Sequence, residues 1–223
     1  MGNRFVLLAV TAWLFCSGIL WGQTKELRTL DDSLSYAVGI DIAEKFKPLL
    51  PNFQAEALVA GMQDALTGPS GQMTPEEAQY FLMDYFSRRY PEINRQKAVA
   101  YLADVERTHP QVQKTASGLL YEIVEPGGGK PAGNSDRVLV HYTGKLSDGT
   151  EFDSSYERGE PILLPLDSVI DGWTEGLKLV GKGGKIRLWI PPELGYGERG
   201  GGSVIPPNEA LYFEVEMIDI NPE

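Results

Sequence analysis

The 223-residue chain has one cysteine, Cys16, and two histidines, His109 and His141. A single thiol cannot close an internal disulfide, and it leaves no cysteine-built zinc site. The two histidines stand far apart with no metal-ligand spacing, so a histidine-built metal centre has no support either. Positive charge is scarce: 20 Lys and Arg face 31 Asp and Glu, a formal net charge of −11. Nucleic-acid binding calls for a basic face and electrostatic attachment to a membrane surface for a basic patch, so both are disfavoured. No internal repeat is visible. The run Gly195-Tyr196-Gly197-Glu198-Arg199-Gly200 matches G-x-G-x-x-G in form only. A dinucleotide site needs a strand before it and a helix after it, whereas Pro191-Pro192 precede this run and Gly201-Gly202-Ser203-Val204-Ile205-Pro206-Pro207 come after it. Gly128-Gly129-Lys130 lacks the Ser or Thr that completes a P-loop.

What is present begins at the N-terminus, where Arg4 precedes the uncharged stretch from Phe5 to Trp21. A basic start and an apolar core are the pattern of a secretory signal, and cleavage after Gly22 fits it best. An uncleaved anchor comes second, since the run barely reaches spanning length. Acylation of Cys16 is a minor alternative of the same rank, because bulky Phe15 stands where small residues are usual. Removal of the signal leaves a mature chain without thiols. Export without disulfides points to a bacterial envelope protein, periplasmic in the first instance, whose core is large enough to need no staples.

From about Leu30 to Thr108 the apolar pattern is helical. Leu34, Val38, Ile42 and Phe46 recur every four residues behind the N-cap cluster Asp31-Asp32-Ser33, and Pro48 and Pro51 end that helix. A second helix is expected from Gln54 to Leu66, with Leu58, Val59, Met62 and Leu66 on one side and Gly68-Pro69 as its stop. Thr74-Pro75-Glu76-Glu77 reads as a capping box that opens a third through Phe81, Tyr85 and Phe86. Pro91 is expected to interrupt it, with a fourth helix from about Glu92 to Thr108. Separate short helices of this kind need partners, which predicts a dimer.

From about Ala116 the pattern alternates instead. Val138, Val140 and Tyr142 share one strand face, Ile186, Leu188 and Ile190 another, and Leu211, Phe213, Val215 and Met217 a third. Ser147-Asp148-Gly149-Thr150 is a hairpin turn signal, and Ile170, Trp173 and Leu177 lie at helical spacing. The expected fold class is α+β: a curved antiparallel sheet wrapped on one short helix, preceded by an all-α domain. The expected division is a signal over residues 1–22, a helical dimerisation domain with its linker helix over 23–115, and a β-rich domain over 116–223.

The C-terminal half resembles the FKBP-type peptidyl-prolyl cis-trans isomerases. The resemblance is carried by Val140-His141-Tyr142-Thr143-Gly144, Phe152-Asp153-Ser154-Ser155, Val169-Ile170, Gly172-Trp173, Leu194-Gly195-Tyr196-Gly197, Ile205-Pro206-Pro207 and Leu211-Tyr212-Phe213. Their order and spacing hold over about a hundred residues. The helical half, with Leu34-Ser35-Tyr36-Ala37-Val38-Gly39 and Gly61-Met62-Gln63-Asp64-Ala65, is similar to the secreted macrophage-infectivity-potentiator branch, whose helices form a homodimer.

The resemblance implies a proline pocket lined by Tyr142, Phe152, Val169, Ile170, Trp173, Tyr196 and Phe213, with Trp173 as its floor. Asp153 and Arg158 would form a polar edge with Tyr142. The Ile170 backbone N–H and the Tyr196 hydroxyl would hold carbonyls of the substrate or of a tacrolimus-type macrolide. Val204 and Ile205 would belong to a flap, and Ile162 stands where many members carry an aromatic. No cofactor or metal is implied, and the substrates would be proline-containing, unfolded or partly folded polypeptides. Such a pocket suits rotation about an X–Pro amide, whose barrier of roughly 18–20 kcal/mol comes from C–N resonance and needs no acid, base or nucleophile. Two rival readings are a chaperone that cradles unfolded chains and a β domain that stacks sugars or peptides on Trp and Tyr.

Overall fold

A computed structural model describes residues 26–46, 54–68 and 71–222. The signal stretch, Cys16, Pro48, Pro51 and Pro69 lie outside the described residues. The chain divides into two compact units between Gln54 and Ala55.

The first unit contributes helix α1, Leu30–Phe46, which has no buried residue. Its start differs from the expected cap. Thr29, one residue before the helix, accepts from the Asp32 N–H at 3.0 Å while the Asp32 carboxylate accepts from the Thr29 N–H at 3.2 Å. Asp31, Asp32 and Ser33 therefore lie inside the first turn, where carboxylates sit at the positive end of the helix dipole.

The second unit opens with α2, Ala55–Thr67, and α3, Pro75–Asp84. Thr74 caps α3 through the reciprocal box with Glu77, as the sequence predicts. Pro91, by contrast, does not break the helix. A π-helical turn over Tyr85–Arg89 leads directly into α4, Tyr90–Thr108. There the Tyr90 N–H bonds to the Tyr85 carbonyl, five residues back instead of four. The wider turn makes room for a ring that lacks an N–H and would otherwise press on the preceding turn. Asp84 is buried beside this turn and accepts hydrogen bonds from Arg88 and Arg89. Those guanidiniums, Arg88 foremost, hold its carboxyl below the usual carboxylate range.

Seven antiparallel strands complete the unit: β1 (Gln113–Lys114), β2 (Leu120–Glu125), β3 (Arg137–Leu146), β4 (Glu151–Ser154), β5 (Ile162–Pro165), β6 (Lys185–Ile190) and β7 (Leu211–Ile220). Their order is β1-β2-β6-β7-β3-β4, with β5 also paired to β3. Two short helices interrupt them, α5 (Ser155–Arg158) and α6 (Asp171–Gly176). The β3–β4 turn closes as expected around Gly149, whose φ is 88°.

Alternation decides the main core. Val138, Val140, Leu188, Ile190, Leu211 and Met217 point to one side and are fully buried with Leu177. The other side is also partly covered. Leu120 and Trp189 pack with Val105, Tyr101 and Leu102 of α4 and with Tyr212 of β7, forming a second apolar cluster. Strand β2 is not legible in the sequence for this reason. Leu119, just before it, and Leu120, its first residue, are both buried, one in each cluster, and that blurs the period of two.

Candidate functional site

The site grows from three close approaches that need glycine. Gly144 of β3 pairs with Phe213 of β7 on one side and Asp153 of β4 on the other. A Cβ on Gly144 would lie 2.7 Å from Phe213 Cε1 and 2.9 Å from Phe152 Cζ, so both rings occupy the space of the missing side chain. On α6, a Cβ on Gly172 would meet Ile190 at 2.6 Å, and one on Gly176 would meet Leu188 at 2.5 Å. These contacts let α6 lie directly on β6 and bring Trp173 down among the strand aromatics.

Four rings result. Trp173 meets Tyr142 edge to face at 5.0 Å between centroids and Phe213 at 5.2 Å; Phe152 meets Phe213 edge to face at 5.6 Å. These are geometries that the ring quadrupoles favour. Trp173 and Phe213 are buried, and Trp173 Nε1 is the one buried side-chain polar atom without a hydrogen-bond partner among the described residues. Val169, Ile170, Ile162 and Phe152 are half-buried against the same core.

A polar edge borders the rings. The Tyr142 hydroxyl donates to Asp153 and accepts from Arg158 at 2.8 Å, while Arg158 also pairs with Asp153. The guanidinium sits 5.5 Å from the centre of the Tyr142 ring, a cation–π contact. Burial first, and the hydrogen bond to Asp153 second, push the Tyr142 hydroxyl above its ordinary pKa. The hydroxyl is thus neutral and already engaged. Besides Trp173 Nε1, two donors remain open nearby. Ile170 accepts at its carbonyl from Trp173 and Thr174, but its N–H makes no bond among the described residues, and neither does the Tyr196 hydroxyl. Tyr196 is 42% exposed, and the partial desolvation of its hydroxyl, with the Asp153 charge second, raises its pKa too.

The loop after Tyr196 folds over as a narrow bridge. Gly201 and Ile205 exchange backbone hydrogen bonds at 2.9 and 3.0 Å, and Gly201 fits closely between the side chains of Ile205 and Tyr196. Ile205 is buried in the core, whereas Val204 is exposed and stands outside the cluster. Among the described residues no three His, Cys, Asp or Glu are grouped as metal ligands.

Residues 128–218 match the family model described as FKBP-type peptidyl-prolyl cis-trans isomerase, and residues 31–123 match the domain amino terminal to it. A probable FKBP-type peptidyl-prolyl cis-trans isomerase of Haemophilus influenzae is 39% identical over 230 residues, covering 95% of each chain. The chain belongs to the FKBP-type peptidyl-prolyl cis-trans isomerases. Its fold agrees: the crystal structure of FkpA from Escherichia coli superposes with a TM-score of 0.57 at 36% identity, over 88% of this chain and 99% of that one. The outer membrane protein MIP of Legionella longbeachae is 33% identical, over 99% of this chain and 98% of that one.

Some residues that shape this FKBP-type site are not announced by their sequence context. Ser155, fully buried, accepts from the Tyr142 N–H at 2.7 Å and donates to the Tyr142 carbonyl at 3.2 Å, so it fixes the backbone under the tyrosine. Gly144, Gly172 and Gly176 act by what they lack. A glycine inside a strand flags a close approach, but the sequence does not say which side chain arrives. His141, whose alternation with Tyr142 points it away from the rings, lies 3.0 Å from Ser155 Oγ and stacks on Tyr156 at 4.5 Å.

Proposed function

We propose that this isomerase turns the X–Pro bond in the hollow bounded by Tyr142, Phe152, Trp173 and Phe213, with the pyrrolidine ring above Trp173. The observation that carries this reading is the coexistence of an apolar aromatic cluster with unengaged donors at its edge, the Ile170 N–H and the Tyr196 hydroxyl. A planar amide is more dipolar than a twisted one, so a dry apolar surround favours the twisted state relatively more. Donors that grip the rotating carbonyl help only as far as they bind it better at the twist. Uncatalysed exchange takes tens of seconds or longer. Reaching milliseconds requires about four decades, roughly 5–6 kcal/mol, which a few such interactions can supply. Val169, Ile162 and Ile205 shape the walls, Asp153 and Arg158 the polar edge, and Val204 the exposed rim. Macrolides of the tacrolimus and rapamycin type would compete for the same space.

The substrates in this reading are exported, proline-containing polypeptides that fold in the bacterial envelope, in the periplasm first of all. The N-terminal signal pattern and the similarity to an outer membrane protein support that location. Helix α1 buries none of its residues and leaves Leu30, Leu34, Tyr36, Val38 and Ile40 exposed, which supports a homodimer through the helical part. The decisive experiment is a protease-coupled assay on proline tetrapeptides with Trp173→Ala and Phe213→Ala. Loss of kcat/KM in both is the expected result; parental rates in both would remove the pocket from the mechanism.

A further inference from the structure

The loop that carries Tyr196 and Ile205 is gripped from outside the sheet by the start of α4. Asn94 Nδ2 donates to the Pro207 carbonyl at 3.0 Å, and Asn208 Nδ2 donates to the Pro91 carbonyl at 3.0 Å. The exchange is reciprocal: each segment gives one amide and one carbonyl. Both asparagines are 3% exposed. Asn208 holds a second partner as well, since its N–H donates to the Gly197 carbonyl at 2.8 Å, next to Tyr196. Its φ of 55° is the left-handed conformation that asparagine tolerates better than most residues. The Arg95–Glu198 pair at 2.9 Å is exposed and adds little.

We infer that Asn94 and Asn208 are positioning residues for catalysis, holding the 193–208 segment so that Tyr196 and Ile205 close one wall of the pocket; the inference rests on the pocket proposed for the X–Pro bond. The strands support one another through hydrogen-bonded ladders, but this segment has only short 3-10 turns, at Pro192–Leu194 and Gly197–Arg199, and the Gly201–Ile205 bridge. With no strand ladder of its own, the segment depends on single contacts, so two buried amide–carbonyl bonds weigh heavily there. Helix α4 thereby becomes a working part of the isomerase domain.

The test uses the full-length protein with Asn94→Ala, with Asn208→Gly (which keeps the left-handed backbone) and with Phe213→Ala as the pocket reference. Amide hydrogen exchange is read at Gly201 and Ile205 against Val140 and Val215, alongside kcat/KM on proline tetrapeptides. Each asparagine variant should speed exchange at Gly201 and Ile205 about five- to tenfold, leave β3 and β7 at parental rates, and lower kcat/KM by a similar factor. Parental exchange in the loop, parental kcat/KM despite faster exchange, or equal acceleration in β3 and β7 would each overturn the inference. Loss of activity in Phe213→Ala alone leaves the pocket standing and removes only the role of the asparagines. Full activity in Phe213→Ala removes the pocket and the inference with it.

Discussion

Gly144 lies directly opposite Phe213 in the β3–β7 ladder, and the Phe213 ring fills the space that a side chain on Gly144 would take. The aromatic cluster of the proposed pocket is thus set by an absence on one strand as much as by a ring on the next. Gly144→Ala places a Cβ 2.7 Å from Phe213 Cε1 and forces that ring, or Phe152, to move. Overpacking of this kind costs about 1–3 kcal/mol, and the displaced ring should lower kcat/KM by roughly ten- to hundredfold. Urea midpoints and tetrapeptide kinetics check both. A variant with parental values in each would mean that the ring contacts are loose.

Tyr142 contributes a ring to the cluster and a hydroxyl to the polar edge, and Tyr142→Phe separates the two. The ring contacts to Trp173 and Phe213 stay, while the hydroxyl bonds to Asp153 and Arg158 are lost. The expected result is a fall in kcat/KM of about three- to tenfold with little change in stability. Arg158→Ala should cost less than about 1 kcal/mol, because its pair with Asp153 is exposed to solvent. An unchanged kcat/KM in Tyr142→Phe would leave the hydroxyl without a part in catalysis.

Burial raises the pKa of Tyr142, Tyr196 and Tyr212, with the hydrogen bond to Glu214 adding to the effect at Tyr212. An unfolded tyrosine loses its proton near pH 10, while these folded ones keep theirs. Their contribution is fully present below about pH 10 and is lost as pH rises through the folded values. Urea midpoints should therefore hold from pH 8 to about 10 and then decline. Tyr212→Phe should make that decline shallower; an equally steep decline would place its cause elsewhere.

Helix α1 presents Leu34 and Val38 to solvent one turn apart and buries none of its residues. Sedimentation at micromolar concentration should give twice the chain mass. Leu34→Asp with Val38→Asp should shift the protein toward the monomer and leave tetrapeptide kcat/KM unchanged, since α1 contributes no residue to the proposed pocket. A monomeric parent protein would end the dimer reading.

Much of the fold could be read directly. The capping box at Thr74, the hairpin at Gly149 and the alternating faces of β3, β6 and β7 each rest on a local rule that the structure obeys. Pro91 broke the local rule, because the missing N–H was absorbed by widening the helix over Tyr85–Arg89 instead of ending it. Trp189 shows another limit. Its strand neighbours Leu188 and Ile190 face the main core, and only the docking of α4 explains why a large ring between them is buried in a separate cluster.

Most element types, the faces of β3, β6 and β7 and the candidate aromatics were already written into the chain, because period, caps and turn residues act within a few positions of each other. Three-dimensional closure had to choose which glycines yield space to which rings, that Ser155 steadies Tyr142, and that Asn94 and Asn208 clasp α4 to the pocket loop. Those contacts join residues separated by up to 117 positions, and their geometry exists only once the chain has closed on itself.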